Sequence, residues 1–157
     1  MTTIRISTVG AALDRDDKAA IVDRLTGAFA EVEVGRDFPE IRPGFLTVFD
    51  RLEPDDLWIG TERAVEVGPS GRAALVTVRV MAGPWTNEMK AELFLRAEAI
   101  VREVAAMPRE GDGRDFWMTF VEVPEGAWGL GGRTVSIADL APVFTDDRQA
   151  RIRKHLE

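Results

Sequence analysis

The chain has no cysteine and no tyrosine, and among its 157 residues there is a single histidine, His155. Without cysteine there is no disulfide, no thiol nucleophile and no thiolate metal site. One histidine leaves only carboxylates for a metal, and no ligand spacing is visible, so no metal or other cofactor is expected. Basic residues are the minority, 20 against 27 acidic, for a net charge of -7 and a pI near 4.9. Phosphate backbones and anionic lipid surfaces select clustered Lys and Arg, so neither nucleic acid nor a membrane is an expected partner. No apolar run is long enough to cross a bilayer, and no basic segment followed by an apolar one marks a signal peptide. A cysteine-free acidic chain of this kind suits a reducing cytoplasm.

What is present is a repeat. The stretch Phe45–Pro54 runs into Asp55–Arg63, and Phe116–Pro124 runs into Glu125–Arg133; Pro54 and Pro124, Trp58 and Trp128, and Arg63 and Arg133 share one offset. Each copy follows an apolar strand and a helix. Thr3–Val9 alternates β-branched residues and stops at Gly10. Asp14 or Asp16 can then cap a helix with Ala20, Ile21, Leu25, Ala28, Phe29 and Val32 on its apolar face, ended by Gly35. In the second copy Ala74–Met81 is apolar throughout and reads as a central strand broken by Gly83-Pro84. Thr86 caps the next helix, whose stripe is Met89, Leu93, Phe94, Ala97, Ile100, Val101 and Val104.

A strand, a crossover helix and a second strand join right-handedly into parallel neighbours. The fold class is therefore α/β (α+β): two tandem β-α-β units forming a four-stranded sheet with both helices on one face. The units span residues 1–66 and 67–135, followed by an extension over 136–157. The other sheet face is expected to be apolar and covered by association.

Two β-α-β units, the second closing in Pro124-Glu125-Gly126-Ala127-Trp128-Gly129-Leu130-Gly131-Gly132-Arg133, resemble the tautomerase superfamily over Thr2–Arg133. The similarity is to 4-oxalocrotonate tautomerase, whose short chain matches one unit, and to the fused-unit dehalogenases acting on cis-3-chloroacrylate. The resemblance implies a tautomerase-like fold, a homotrimer, no cofactor, and proton transfer by an N-terminal proline beside carboxylate-binding arginines.

The chain departs from that scheme at its centre. Thr2 stands at the position of the proline. With Met1 in place Thr2 carries only an amide nitrogen, and with Met1 removed it offers a primary amine and a hydroxyl. The dehalogenases' first-helix histidine falls on Phe29, their two arginines on Ala82 and Trp85, their tyrosine on Met118 and their hairpin glutamate on Leu130. The arginine of the short tautomerases falls on Trp117. Groups that would activate water are thus replaced by apolar ones, which argues against hydrolytic dehalogenation.

Several residues keep two readings. Trp117 and Trp128 line a pocket or pack at a subunit interface; Arg63 and Arg133 clamp a carboxylate or make hairpin ion pairs. Arg5 and Arg79 face a partner or a cleft, with Arg5 the better anion contact because it lies nearer Thr2. Glu122 is a base or a strand-edge charge, and His155 reads as a solvated helix end. Gly129-Leu130-Gly131-Gly132 opens no helix, so it is no dinucleotide loop. The expected function is a divergent keto–enol tautomerase of small carbonyl acids, its ligand apolar or monoanionic. The alternative is an inactive trimeric ligand-binding or interaction protein.

Overall fold

The computed structural model describes residues 1–83 and 85–156, the last two through their backbone alone. Strand β1 (Thr2–Val9) leads into helix α1 (Arg15–Val34) and strand β2 (Phe45–Arg51). A small hairpin, β3 (Trp58–Ile59) and β4 (Glu62–Arg63), and a single turn of helix, α2 (Ala64–Val67), close the first unit. The second repeats it as β5 (Ala73–Met81), α3 (Asn87–Val104), β6 (Phe116–Val123) and the hairpin β7 (Gly129–Leu130), β8 (Arg133–Thr134). The extension forms α4 (Ile137–Leu140) and α5 (Asp146–Leu156).

The four long strands make one sheet in the order β2-β1-β5-β6. Each unit is internally parallel, and β1 meets β5 antiparallel with Thr2 opposite Val80 and Val9 opposite Ala73. That pairing is the pseudo-twofold expected of two fused β-α-β units. Both α1 and α3 lie against one face, where Ile4, Ile6, Val76, Val78 and Val80 meet Ile21, Leu25, Phe29, Leu93 and Val101. Burying each such side chain contributes roughly 1.5–3 kcal/mol, so this layer dominates the stability. Ala20 proves exposed, because the ridge that meets the sheet runs through Ile21, Leu25 and Phe29.

The local signals act where they stand. Asp14 caps α1 by accepting from the backbone N–H groups of Asp16 and Asp17, and Asp17 closes a capping box. Gly35 ends the helix with φ of 97°, a left-handed conformation that costs glycine little. Thr86 caps α3 through Met89 N–H. Pro84, expected to break β5, lies outside the described residues.

Two expectations need correcting. The open sheet face is mixed rather than apolar: the edge strands present Leu46, Val48, Trp117 and Val121, but the central strands present Thr3, Arg5, Thr77 and Arg79. Arg5 is held there by Asp50, with Nε donating at 2.5 Å, and Asp50 also accepts from Ser7. The two hairpins are also one residue out of step. Trp58 pairs with Arg63, whereas Gly129 pairs with Thr134 and Leu130 with Arg133. The turn of the second hairpin is set by Gly131 and Gly132, both at positive φ. Trp58 therefore sits in its hairpin and is exposed, while Trp128 precedes its own and packs inward.

Candidate functional site

Alternation along β1 sends Ile4, Ile6 and Thr2 to the helical face. Thr2 begins the strand and is only 1% exposed. Its hydroxyl donates to Oε2 of Glu33 at 2.9 Å. Glu33 is the penultimate residue of α1 and continues the ridge Ile21, Leu25, Phe29 by one more step of four, so its carboxylate is carried inward with that ridge. Burial pushes the carboxyl well above the usual range; the positive charge at the amino end and the Thr2 hydroxyl act in the opposite direction but do not cancel it.

The extension covers this pair. Thr145 donates both its N–H and its hydroxyl to Val34 O at 3.1 Å, pinning the start of α5 to the end of α1. A Cβ at Gly35 would lie 2.4 Å from Thr145 Oγ1, and one at Gly83 would lie 2.8 Å from Ile137 Cδ1. Both glycines thus permit the extension's close approach. Met81, Val135, Ile137 and Ile152 form a second apolar cluster, against which Met1, Trp128, Leu140 and Phe144 pack.

Between the cover and the sheet lies a small cavity of about 20 Å³, room for about one water, lined by Glu33, Trp85, Met89, Phe144, Arg148 and Ile152 among others. Trp85, Met89 and Arg148 also wall an open groove of about 720 Å³ that carries Arg151 and Lys154. Trp85 is fixed there by its Nε1 donating to Met81 O at 3.1 Å and by an edge-on contact with Phe120, ring centroids 5.0 Å apart.

The site residues expected from sequence scatter. Trp85 lines this cavity, Thr2 reaches it only through its hydrogen bond to Glu33, and Trp128 packs in the apolar cluster of the extension. Phe29 and Met118 belong to the main core. Trp117 stands on the open face, with Nε1 donating to Arg114 O at 2.7 Å. Leu130 and Arg133 are exposed on the second hairpin, and Arg5 is paired with Asp50 on the open face. Arg63 bridges Asp55 and Glu66 within the first unit, and Glu122 pairs with Lys90 of α3 at 2.5 Å. The side chain of His155 lies outside the described residues.

Sequence reasoning missed Glu33 and Arg148. The signal for Glu33 was an acidic residue in phase with an apolar ridge. For Arg148 it was an arginine four residues from both Phe144 and Ile152.

No protein-family model and no curated protein sequence matches the chain. Solved structures do. N1, a member of the cis-3-chloroacrylic acid dehalogenase (cis-CaaD) family, superposes with a TM-score of 0.69 at 18% identity, over 97% of this chain and 99% of that one. The Q0 fused 4-OT symmetric trimer gives 0.65 at 20% identity, over 88% and 98%. Leishmania major MIF2 gives 0.63 at 16%, over 86% and 97%. The chain has the tautomerase-like fold. On that fold the two units differ near the starts of their first strands. The first carries the Thr2–Glu33 pair, whereas beside the start of β5 the second carries a buried ion pair, Arg102 Nη2 to Asp115 Oδ1 at 2.7 Å. Among the described residues no group of three acidic or histidine side chains could hold a metal, and no helix is long and apolar enough to cross a membrane.

Proposed function

We propose that the protein is a keto–enol tautomerase of small carbonyl acids in which Glu33 moves the proton. The observation that carries this reading is the buried Glu33 carboxyl, oriented by the Thr2 hydroxyl at the start of β1 and pushed above the usual carboxylate range. A carboxyl raised in this way holds its proton to higher pH than a free carboxyl does, which suits it both to give and to take a proton. In the enol-to-keto direction the acid delivers its proton to the carbon of the C=C bond. The enol O–H bond breaks, its electron pair forms C=O, and the hydroxyl proton returns to the carboxylate. Glu33 ends protonated, as it began. No cofactor takes part.

Assembly as a homotrimer in the cytoplasm belongs to the same reading. It is supported by the exposed Leu46, Val48, Trp117 and Val121 on the open face, and by the trimeric state of the fused 4-OT neighbour. Hydrolytic dehalogenation is disfavoured because Phe29, Ala82, Met118 and Leu130 offer no group to activate water.

A second reading, a ligand-binding protein without turnover, is favoured by the smallness of the cavity at Glu33. Ketonisation of phenylenolpyruvate in D₂O, followed by NMR, separates the two. The tautomerase reading expects the protein to accelerate deuterium incorporation at the methylene carbon. Replacing Glu33 with Gln should lower that rate by roughly 10²- to 10⁴-fold, the usual worth of a general acid–base group. Deuterium incorporation at the buffer rate with unmodified protein would leave the binding reading.

A further inference from the structure

The extension does more than cover the Thr2–Glu33 pair; it lines the neighbouring groove with cations. Arg148 and Arg151 project from α5 beside Met89 of α3, each with Nη1 3.8 Å from Met89 Sδ. Arg151 has Asp147 at 3.5 Å, and Glu92 of the same groove is engaged by Arg96 at 2.6 Å. Among the described residues Arg148 has no carboxylate within 4.0 Å, although it is half-buried between Trp85, Met89, Phe144 and Ile152. A half-buried guanidinium without a directly paired anion is costly. Burial and then the nearby Arg151 charge make Arg148 a weaker base than usual, while Asp147 and Glu92 act in the opposite direction from beyond ion-pair distance without cancelling it. The electrostatic cost would be relieved by an anion arriving from the groove. The groove's volume, about 720 Å³, is in the range of small-molecule sites. Its floor offers one flat aromatic surface, Trp85, and one adaptable thioether, Met89. Glu88 and Glu92 also line the groove and disfavour a second anionic group there.

We propose that this groove binds a monocarboxylate with a flat apolar body, the carboxylate held by Arg148 and Arg151 and the body laid on Trp85 and Met89. The inference rests on the reading of Glu33 as the working group only in that the bound body points toward it. Arg148 stands in the wall between the groove and the Glu33 cavity, so a ligand that draws its guanidinium outward opens the way between them. The extension thereby becomes the substrate-recognition element, a role for which the two β-α-β units supply no arginine at this cavity.

Titration of the full chain with trans-cinnamate and with uncharged cinnamide, followed by Trp fluorescence and calorimetry, tests it. Cinnamate should bind the unmodified protein more tightly than cinnamide. Arg148→Met should weaken cinnamate roughly 10- to 100-fold, the worth of a charged hydrogen-bonded contact, and leave cinnamide unchanged. Equal affinity for the two probes, or no binding of either, overturns the proposal without recourse to any variant. So does cinnamate binding that is indifferent to Arg148→Met in a variant whose melting matches the parent. The outcome is separable from that of the tautomerase reading. Tight, Arg148-dependent cinnamate binding without turnover keeps the anion site and discards the activity. Turnover with a KM unmoved by Arg148→Met keeps the activity and discards the anion site.

Discussion

Thr2 and Glu33, 31 residues apart, are joined by a buried hydrogen bond of 2.9 Å between the first residue of the sheet and the last turn of the first helix. Glu33 is 8% exposed, and burial raises the pKa of its carboxyl above the ordinary 4.5. A carboxyl whose pKa is higher in the folded than in the unfolded state holds its proton better when folded. Its contribution to stability is complete below the unfolded value and is lost as pH rises through the folded one.

Glu33→Gln removes the ionisation but keeps an oxygen for the Thr2 hydroxyl. The variant should therefore melt at nearly the parental temperature at pH 4 and at a higher temperature than the parent at pH 8. Calorimetric melting at the two pH values checks this. A variant less stable than the parent at pH 8 would mean the ionised carboxylate is a favourable partner there.

The buried pair in the second unit should behave differently. Arg102 and Asp115 are 4% and 2% exposed at their side chains and are bonded through the two terminal guanidinium nitrogens, Nη2 at 2.7 Å and Nη1 at 3.0 Å. Arg102 also donates to Glu98 at 2.7 Å and to Pro108 O at 3.1 Å, so it ties the end of α3 to the start of β6. Asp115→Ala leaves the guanidinium without its main partner and should cost about 3–5 kcal/mol in urea unfolding, the usual penalty for breaking a buried pair. A cost below about 1 kcal/mol, the range of exposed pairs, would show that water reaches the site.

How much of this was legible in the sequence depended on whether the signal was periodic. The strands, α1 and α3, the Thr86 cap and the stop at Gly35 follow from alternation, helical spacing and capping chemistry within one segment, which also narrowed the α1 cap to Asp14 or Asp16, of which Asp14 is the one used. The hairpin register did not, since repeat spacing placed Trp58 and Trp128 together while the turn glycines shifted the second hairpin by one residue. The site was the least legible part. Its members come from Thr2 of β1, the end of α1, Gly83, Trp85, α3 and α5, which only tertiary packing brings together. Arg5 read as the nearest arginine to Thr2 along the chain, but alternation on β1 turns it to the opposite face of the sheet, where Asp50 holds it.

Assembly gives a third test. Trp117 is 55% exposed on the open face, on the same side as Val121 of its own strand and Leu46 and Val48 of the other edge strand. Sedimentation should show a particle of three times the 17.4 kDa chain mass, and Trp117→Glu should shift it toward the monomer while leaving the far-UV circular dichroism unchanged. A parent protein that sediments as a monomer at micromolar concentration would contradict the trimer.

The central claim is that Glu33 carries the proton, and the pH profile of phenylenolpyruvate ketonisation tests it most directly. Because the protonated carboxyl does the work in this direction, kcat/KM should fall as pH rises through a value above 4.5. That limb should vanish in Glu33→Gln, together with roughly 10²- to 10⁴-fold of the rate. A Glu33→Gln variant that is folded and retains the parental rate and the same limb would show that another group moves the proton.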